Sequence, residues 1–215
     1  MKYFAIIIVS ILSLPAFTQT NSPQQYDSRI RDIIENISAD RIEADINKLV
    51  SFGTRHTLSD TVSQTRGIGA ARRWIKSEFD NISKDCDQCL EVNYHKGMVK
   101  AGESRRIPED TWIVNVLAIK RGTLYPNKYI IMSGDIDSRV SDPLDGTSDS
   151  PGANDNASGM AGVIEAARAL SKYDFPVSIL FVGLSGEEQG LFGGQFLAAD
   201  AKEQGWDILL SLIHI

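Results

Sequence analysis

Apolar residues recur at helical spacing in the first third of the chain. Ile30, Ile33, Ile34 and Ile37, then Ile42, Ile46, Leu49 and Val50, fall every three to four positions, the period of an amphipathic helix. The pattern predicts one or two helices, broken near Ser38-Ala39-Asp40, where Ser38 or Asp40 can cap the second. Residues 51–63 are rich in Gly, Thr and Ser and read as a loop. Ile68, Ala71, Trp74, Ile75 and Phe79 then share one face of a helix over 66–82.

The period changes in the middle. Residues 90–94, 111–119 and 128–133 are rich in β-branched and aromatic residues and predict strands. Residues 133–156 form a long stretch of Asp, Ser, Gly and Pro, and a loop of that length is functional or disordered. A helix is expected over 157–171, and the continuous apolar run over 177–184 has the character of a buried parallel strand. A further helix over 189–203 and a strand-like run from Asp207 complete the series. This order predicts an α/β fold: a three-layer αβα sandwich around a mixed, mainly parallel central sheet, with the antiparallel strands early and the sheet incomplete at the C-terminus.

A length of 215 residues suits one domain. The net charge of −6 excludes the basic footprint of a nucleic-acid binder. Lys2, an apolar run over 4–14 and Pro15-Ala16-Phe17-Thr18 have the layout of a signal peptide over residues 1–20. The run is too short for a membrane span. The expectation is a secreted or periplasmic protein with no stable membrane insertion after cleavage. Cys86 and Cys89, in Cys-Asp-Gln-Cys, permit a local disulfide in an exported chain, with free thiols as the alternative.

Three acidic clusters stand where predicted strands end or a helix begins: Asp135 with Asp137, Asp155, and Glu187 with Glu188. Ligands of open α/β sheets bind beyond the carboxyl ends of the strands. Each cluster alone also suits a helix cap or a solvated turn. Together they would repel unless a cation neutralised them, and a pair of divalent ions bridged by one carboxylate does so. Gly183-Leu-Ser185-Gly-Glu187 departs from a serine nucleophile elbow at its fifth position. His56 reads as a loop or packing residue, and His95 as solvated on a strand edge.

Ser-Gly-Asp-Ile-Asp-Ser-Arg from 133, Pro-Gly-Ala-Asn-Asp-Asn-Ala-Ser-Gly from 151 and Gly-Glu-Glu-Gln-Gly-Leu-Phe-Gly-Gly from 186 resemble the ordered motifs of the zinc aminopeptidases of metallopeptidase family twenty-eight, clan MH. The resemblance implies a phosphorylase/peptidase-like fold. It implies a co-catalytic two-zinc exopeptidase that hydrolyses N-terminal residues from peptides. Asp155 would bridge two Zn²⁺ ions, Glu188 would be a terminal ligand and Glu187 the general base, with the Asp155–Asn156 peptide in cis. Asp135 stands where the family usually has a His ligand. As an oxygen donor it can take zinc or favour a harder ion such as Mn²⁺. Asp137 would be the carboxylate that orients that ligand.

A carboxypeptidase or glutaminyl cyclase on the same fold, or a non-catalytic peptidase-like ectodomain, are the alternatives. Peptide is the expected partner, and the sequence leaves the oligomeric state open. Residues 21–209 read as the N-terminal portion of the catalytic domain, which lacks the family's remaining Asp and His ligands. Residues 210–215, Leu-Ser-Leu-Ile-His-Ile, read as a non-native tail encoded by adapter DNA. The 215-residue chain as written is expected to be inactive and poorly soluble.

Overall fold

The computed structural model describes residues 27–213. The segment read as a signal peptide and His214 lie outside the described residues. Two helices open them: α1 (Ser28–Glu35) and α2 (Ala39–Val50). The break falls at Ser38, whose hydroxyl accepts from the Arg41 amide and caps α2. α1 departs from its amphipathic pattern, because it buries none of its residues. It rests on α4 rather than on the sheet, which leaves Ile30 and Ile34 more than half exposed.

α3 (Gly67–Asp85) leads into β1 (Leu90–Val99) through a turn that holds the Cys86–Cys89 disulfide. Then follow β2 (Thr111–Lys120), β3 (Tyr125–Asp135), α4 (Ser158–Leu170), β4 (Val177–Leu184), α5 (Phe192–Glu203) and β5 (Asp207–Ile213). They form one mixed sheet of order β1-β2-β4-β3-β5. β1 and β2 pair antiparallel, as do β2 and β4, while β3 pairs parallel with β4 and with β5. The crossover through α4 makes the first parallel pairing possible, since parallel neighbours need a long connection.

Alternation along the strands supplies two cores. On one face Val116, Ala118 and Phe181 meet Leu49, Ile75, Phe79, Met160 and Ile164 from α2, α3 and α4. On the other, Leu117, Ile119, Leu180 and Val182 meet Leu197 of α5. Helices therefore flank the sheet on both sides. The sheet is open at β5, all of whose residues are exposed, and β5 includes residues 210–213.

An ion network ties the outer helices together. Glu165 of α4 is buried and accepts from Arg41 and from the Ser38 amide. Arg168 reaches Glu165, Asp45 of α2 and Glu78 of α3. Asp45 is buried on the inner side of α2, where apolar periodicity alone had placed only Ile42, Ile46, Leu49 and Val50.

Strand register places the acidic segments. Asp135 lies opposite Leu184, so the chain leaves β3 and β4 side by side. A Cβ on Gly134 would come within 2.8 Å of the Gly159 backbone, so α4 begins directly over the end of β3. The Asp155 turn thereby reaches the same rim.

Arg55 fixes that arrangement. It is 1% exposed. Its Nε donates to Ile136 O at 2.8 Å, Nη1 to Pro151 O at 2.7 Å and Leu49 O at 3.2 Å, and Nη2 to Gly152 O at 2.9 Å. Burial pulls its pKa down to about 10, against the charges of Asp137 and Asp155. It stays protonated at neutral pH. Gly152 has φ +46°, and a Cβ there would fall 2.5 Å from the Asp155 carbonyl and 3.0 Å from Arg55 Nη2.

Replacing Arg55 by Met leaves four carbonyls without their donor, those of Leu49 and Ile136 buried, and each buried bond unmade costs about 1–3 kcal/mol. We expect a loss of at least about 3 kcal/mol in urea unfolding. Burial raises the Glu165 pKa, but the bonds from Arg41, the Ser38 amide and Arg168 outweigh it and hold the carboxyl below its ordinary 4.5. Its contribution is therefore complete above about pH 4.5 and is lost as pH falls through the lower folded value. Unfolding midpoints followed from pH 7 to pH 3 should fall less steeply in Glu165→Gln than in the wild type.

Candidate metal centre

All three acidic segments meet at the rim formed by the ends of β3 and β4. Asp135, the last residue of β3, is 6% exposed, and Asp137 is 1% exposed. Glu187 and Glu188 are half-buried just beyond β4. Asp155 is exposed in the turn Ala153–Ala157 that leads into α4, and its peptide bond to Asn156 is cis.

Asp137 grips its surroundings through both oxygens. Oδ2 accepts from the Thr57 hydroxyl at 2.8 Å and from the Glu188 amide at 3.2 Å, and Oδ1 from the Glu187 amide at 3.3 Å. The family resemblance gives this position the task of orienting a ligand at 135. In this chain its bonds also hold the Glu187 and Glu188 amides.

The electrostatics show how closely the clusters converge. Burial pushes Asp135 up to about 7, helped in turn by Asp137, Glu187, Asp155 and Glu188. Burial also raises Glu187, then Glu188, Asp137 and Asp155 add to it, with Arg139 opposing. Four carboxylates from three segments thus act on one. Like charges crowded out of water favour a bound cation or a captured proton.

Does this set fit a divalent ion? In chemistry it does, since hard oxygen donors in excess of local positive charge suit zinc or manganese. In placement it is not closed. Among the described residues no three Asp, Glu, His or Cys side chains stand close enough to hold an ion as they are. Part of the reason is Arg139, whose Nε lies 2.5 Å from Glu188 Oε2 and neutralises it.

The other candidates take structural places. Ser185 is fully buried and donates to Val114 O at 2.8 Å, so it presents no nucleophile. His56 is fully buried, with Leu58 N on Nδ1 and with Pro143 O and Gln189 around Nε2, and burial lowers its pKa. His95 departs from its expected solvated place. Its side chain is only 13% exposed, because Asp200 of α5 takes Nε2 and Asn115 of β2 faces Nδ1. Arg55, Thr57 and Arg139 escaped sequence reasoning. Their signal was weak: charged and hydroxyl residues in loops read as solvated unless something marks them as buried.

Residues 115–212 match the profile of Peptidase family M28. A probable zinc metalloprotease of Pyrenophora tritici-repentis (strain Pt-1C-BFP) is 44% identical over 186 residues, covering 86% of this chain and 38% of that protein. One from Leptosphaeria maculans is 44% identical over 182 residues, covering 85% and 42%. The chain thus spans about two-fifths of the length of these relatives. Among solved structures, the LapA aminopeptidase of Legionella pneumophila superposes with a TM-score of 0.65 at 20% identity, covering 86% of this chain and 45% of that one. The glutaminyl cyclase of Porphyromonas gingivalis does so at 0.63 and 19%, covering 83% and 59%. These two likenesses establish the shared fold. With the motifs at 133–137, 151–159 and 186–194 on one rim of that fold, the profile and the metalloprotease relatives agree that the chain belongs to peptidase family M28.

Proposed function

We propose that the protein is an exported zinc exopeptidase that removes N-terminal residues from peptides. The observation that supports this best is the convergence of the three acidic segments on one rim, where Asp137 accepts from the Glu187 and Glu188 amides and Asp135 lies opposite Leu184 at the end of β4. Asp155, Glu188 and Asp135 would hold two zinc ions, with Asp155 shared between them and Mn²⁺ as an alternative at Asp135. When bound, the ions polarise the scissile carbonyl and make water a better acid. Glu187 would be the base that accepts a proton from water and passes it to the leaving amine. Its neighbour Glu188 is paired with Arg139, whereas Glu187 has no ion-pair partner among the described residues. Asp137 holds the Glu187 and Glu188 amides and so keeps the base facing the rim. Arg139 competes with an ion for Glu188 through Oε2.

Among the described residues no helix is long and apolar enough to cross a membrane. The Arg139–Glu188 pair favours one other reading, a peptidase-like binding domain that has dispensed with metal.

The test, on a protein that also carries the family's remaining Asp and His ligands, is hydrolysis of aminoacyl-p-nitroanilides with and without a chelator, with a glutaminyl-cyclase assay beside it. Zinc-dependent release is expected. Glu187→Gln should lower kcat by about 10²–10⁴-fold while keeping its zinc, and Asp155→Asn should lose both zinc and activity. Turnover indifferent to chelation would defeat the reading, and cyclisation without peptide cleavage would replace it.

A further inference from the structure

We propose that the cavity between α3, β1 and the start of β2 is a carboxylate subsite with Arg72 at its floor, built for the acidic side chain of a peptide. The cavity measures about 1080 Å³. Arg72 lines it and is 6% exposed. Its Nε donates to Ser185 Oγ at 3.3 Å. Its Nη2 is buried and has no hydrogen-bond partner among the described residues. Asp137 lends Arg72 an opposite charge, but its oxygens are taken by Thr57 and the Glu187 and Glu188 amides. A buried guanidinium donor left unpaired forfeits a strong bond. The planar fork of that group matches a carboxylate.

The surroundings agree in sign. Arg73 also lines the cavity with a buried Nε that lacks a partner, and Lys96 adds a third cation. Of the two acids at the mouth, Asp110 is held by Lys100 at 2.7 Å and by the Ala101 amide at 3.0 Å. Glu109 is exposed. Tyr94 and Trp112 form apolar walls suited to the stem of a peptide. The position is also apt. β2 runs antiparallel to β4, so its first residues share the rim where β4 ends. Arg72 touches Ser185, two residues before Glu187. The subsite would then select peptides with an acidic residue away from the scissile bond. Only that last step rests on the exopeptidase reading.

Binding can be read without turnover. Trp112 emission is followed during titration with N-acetyl-Ala-Glu-Ala-amide, its glutamine counterpart, and N-acetyl-Ala-Ala-Ala with a free terminus. The N-acetyl group keeps an aminopeptidase from cleaving any of them, so a failed peptidase assay leaves this measurement intact. The glutamate peptide should bind and the glutamine peptide should not. Arg72→Met should weaken binding by about tenfold or more, Arg72→Lys by less, and Trp112→Phe should lose the signal. If Arg72→Met fails to fold, Lys96→Met at the cavity wall should still weaken binding. Equal binding of glutamate and glutamine peptides, no binding by the wild type, or unchanged affinity in a folded Arg72→Met would overturn the proposal. Preference for the free-terminus peptide would overturn the assignment to an acidic side chain.

Discussion

A guanidinium sealed from water, bonded only to backbone carbonyls, holds the rim together. Arg55 joins the end of α2 to the segment after β3 and to the approach to Asp155. A buried cation without a bonded carboxylate is tolerable only where negative charge lies close by. Here that charge is Asp137 and Asp155. The carboxylates gain a fixed positive neighbour, and the arginine gains compensation. Cluster and clamp are therefore one electrostatic unit.

That unit is still short of positive charge on its solvent side. Asp135 is pushed up to about 7 although Arg55, Arg72 and Arg139 all lie around the rim. Arg55 faces backbone, Arg72 borders a separate cavity, and Arg139 is bonded to Glu188 and to the Val140 and Ser141 carbonyls. None of these bonds reaches Asp135. A divalent ion among Asp135, Asp155 and Glu188 would supply what the arginines do not.

Much of this was legible in the residues. The switch from helical period to β-branched runs marked each element, and the apolar run of β4 announced a buried strand with its bounds intact. The acidic motifs could be found because glycines and strand ends frame them. What stayed hidden has one physical character. α1 keeps an amphipathic pattern yet has no sheet to cover it. Asp45, Arg55, His95 and Arg72 are polar residues whose burial depends on partners distant in sequence. Local periodicity carries no record of such partners, so it assigns these side chains to solvent.

The most direct measurement is anomalous diffraction at the zinc absorption edge from crystals grown with zinc. Peaks against the carboxylates of Asp155, Glu188 and Asp135, with Arg139 turned away from Glu188, are the expected result. Crystals that show no zinc at this rim, with Arg139 still bonded to Glu188, would contradict a shared cation among the three acidic segments.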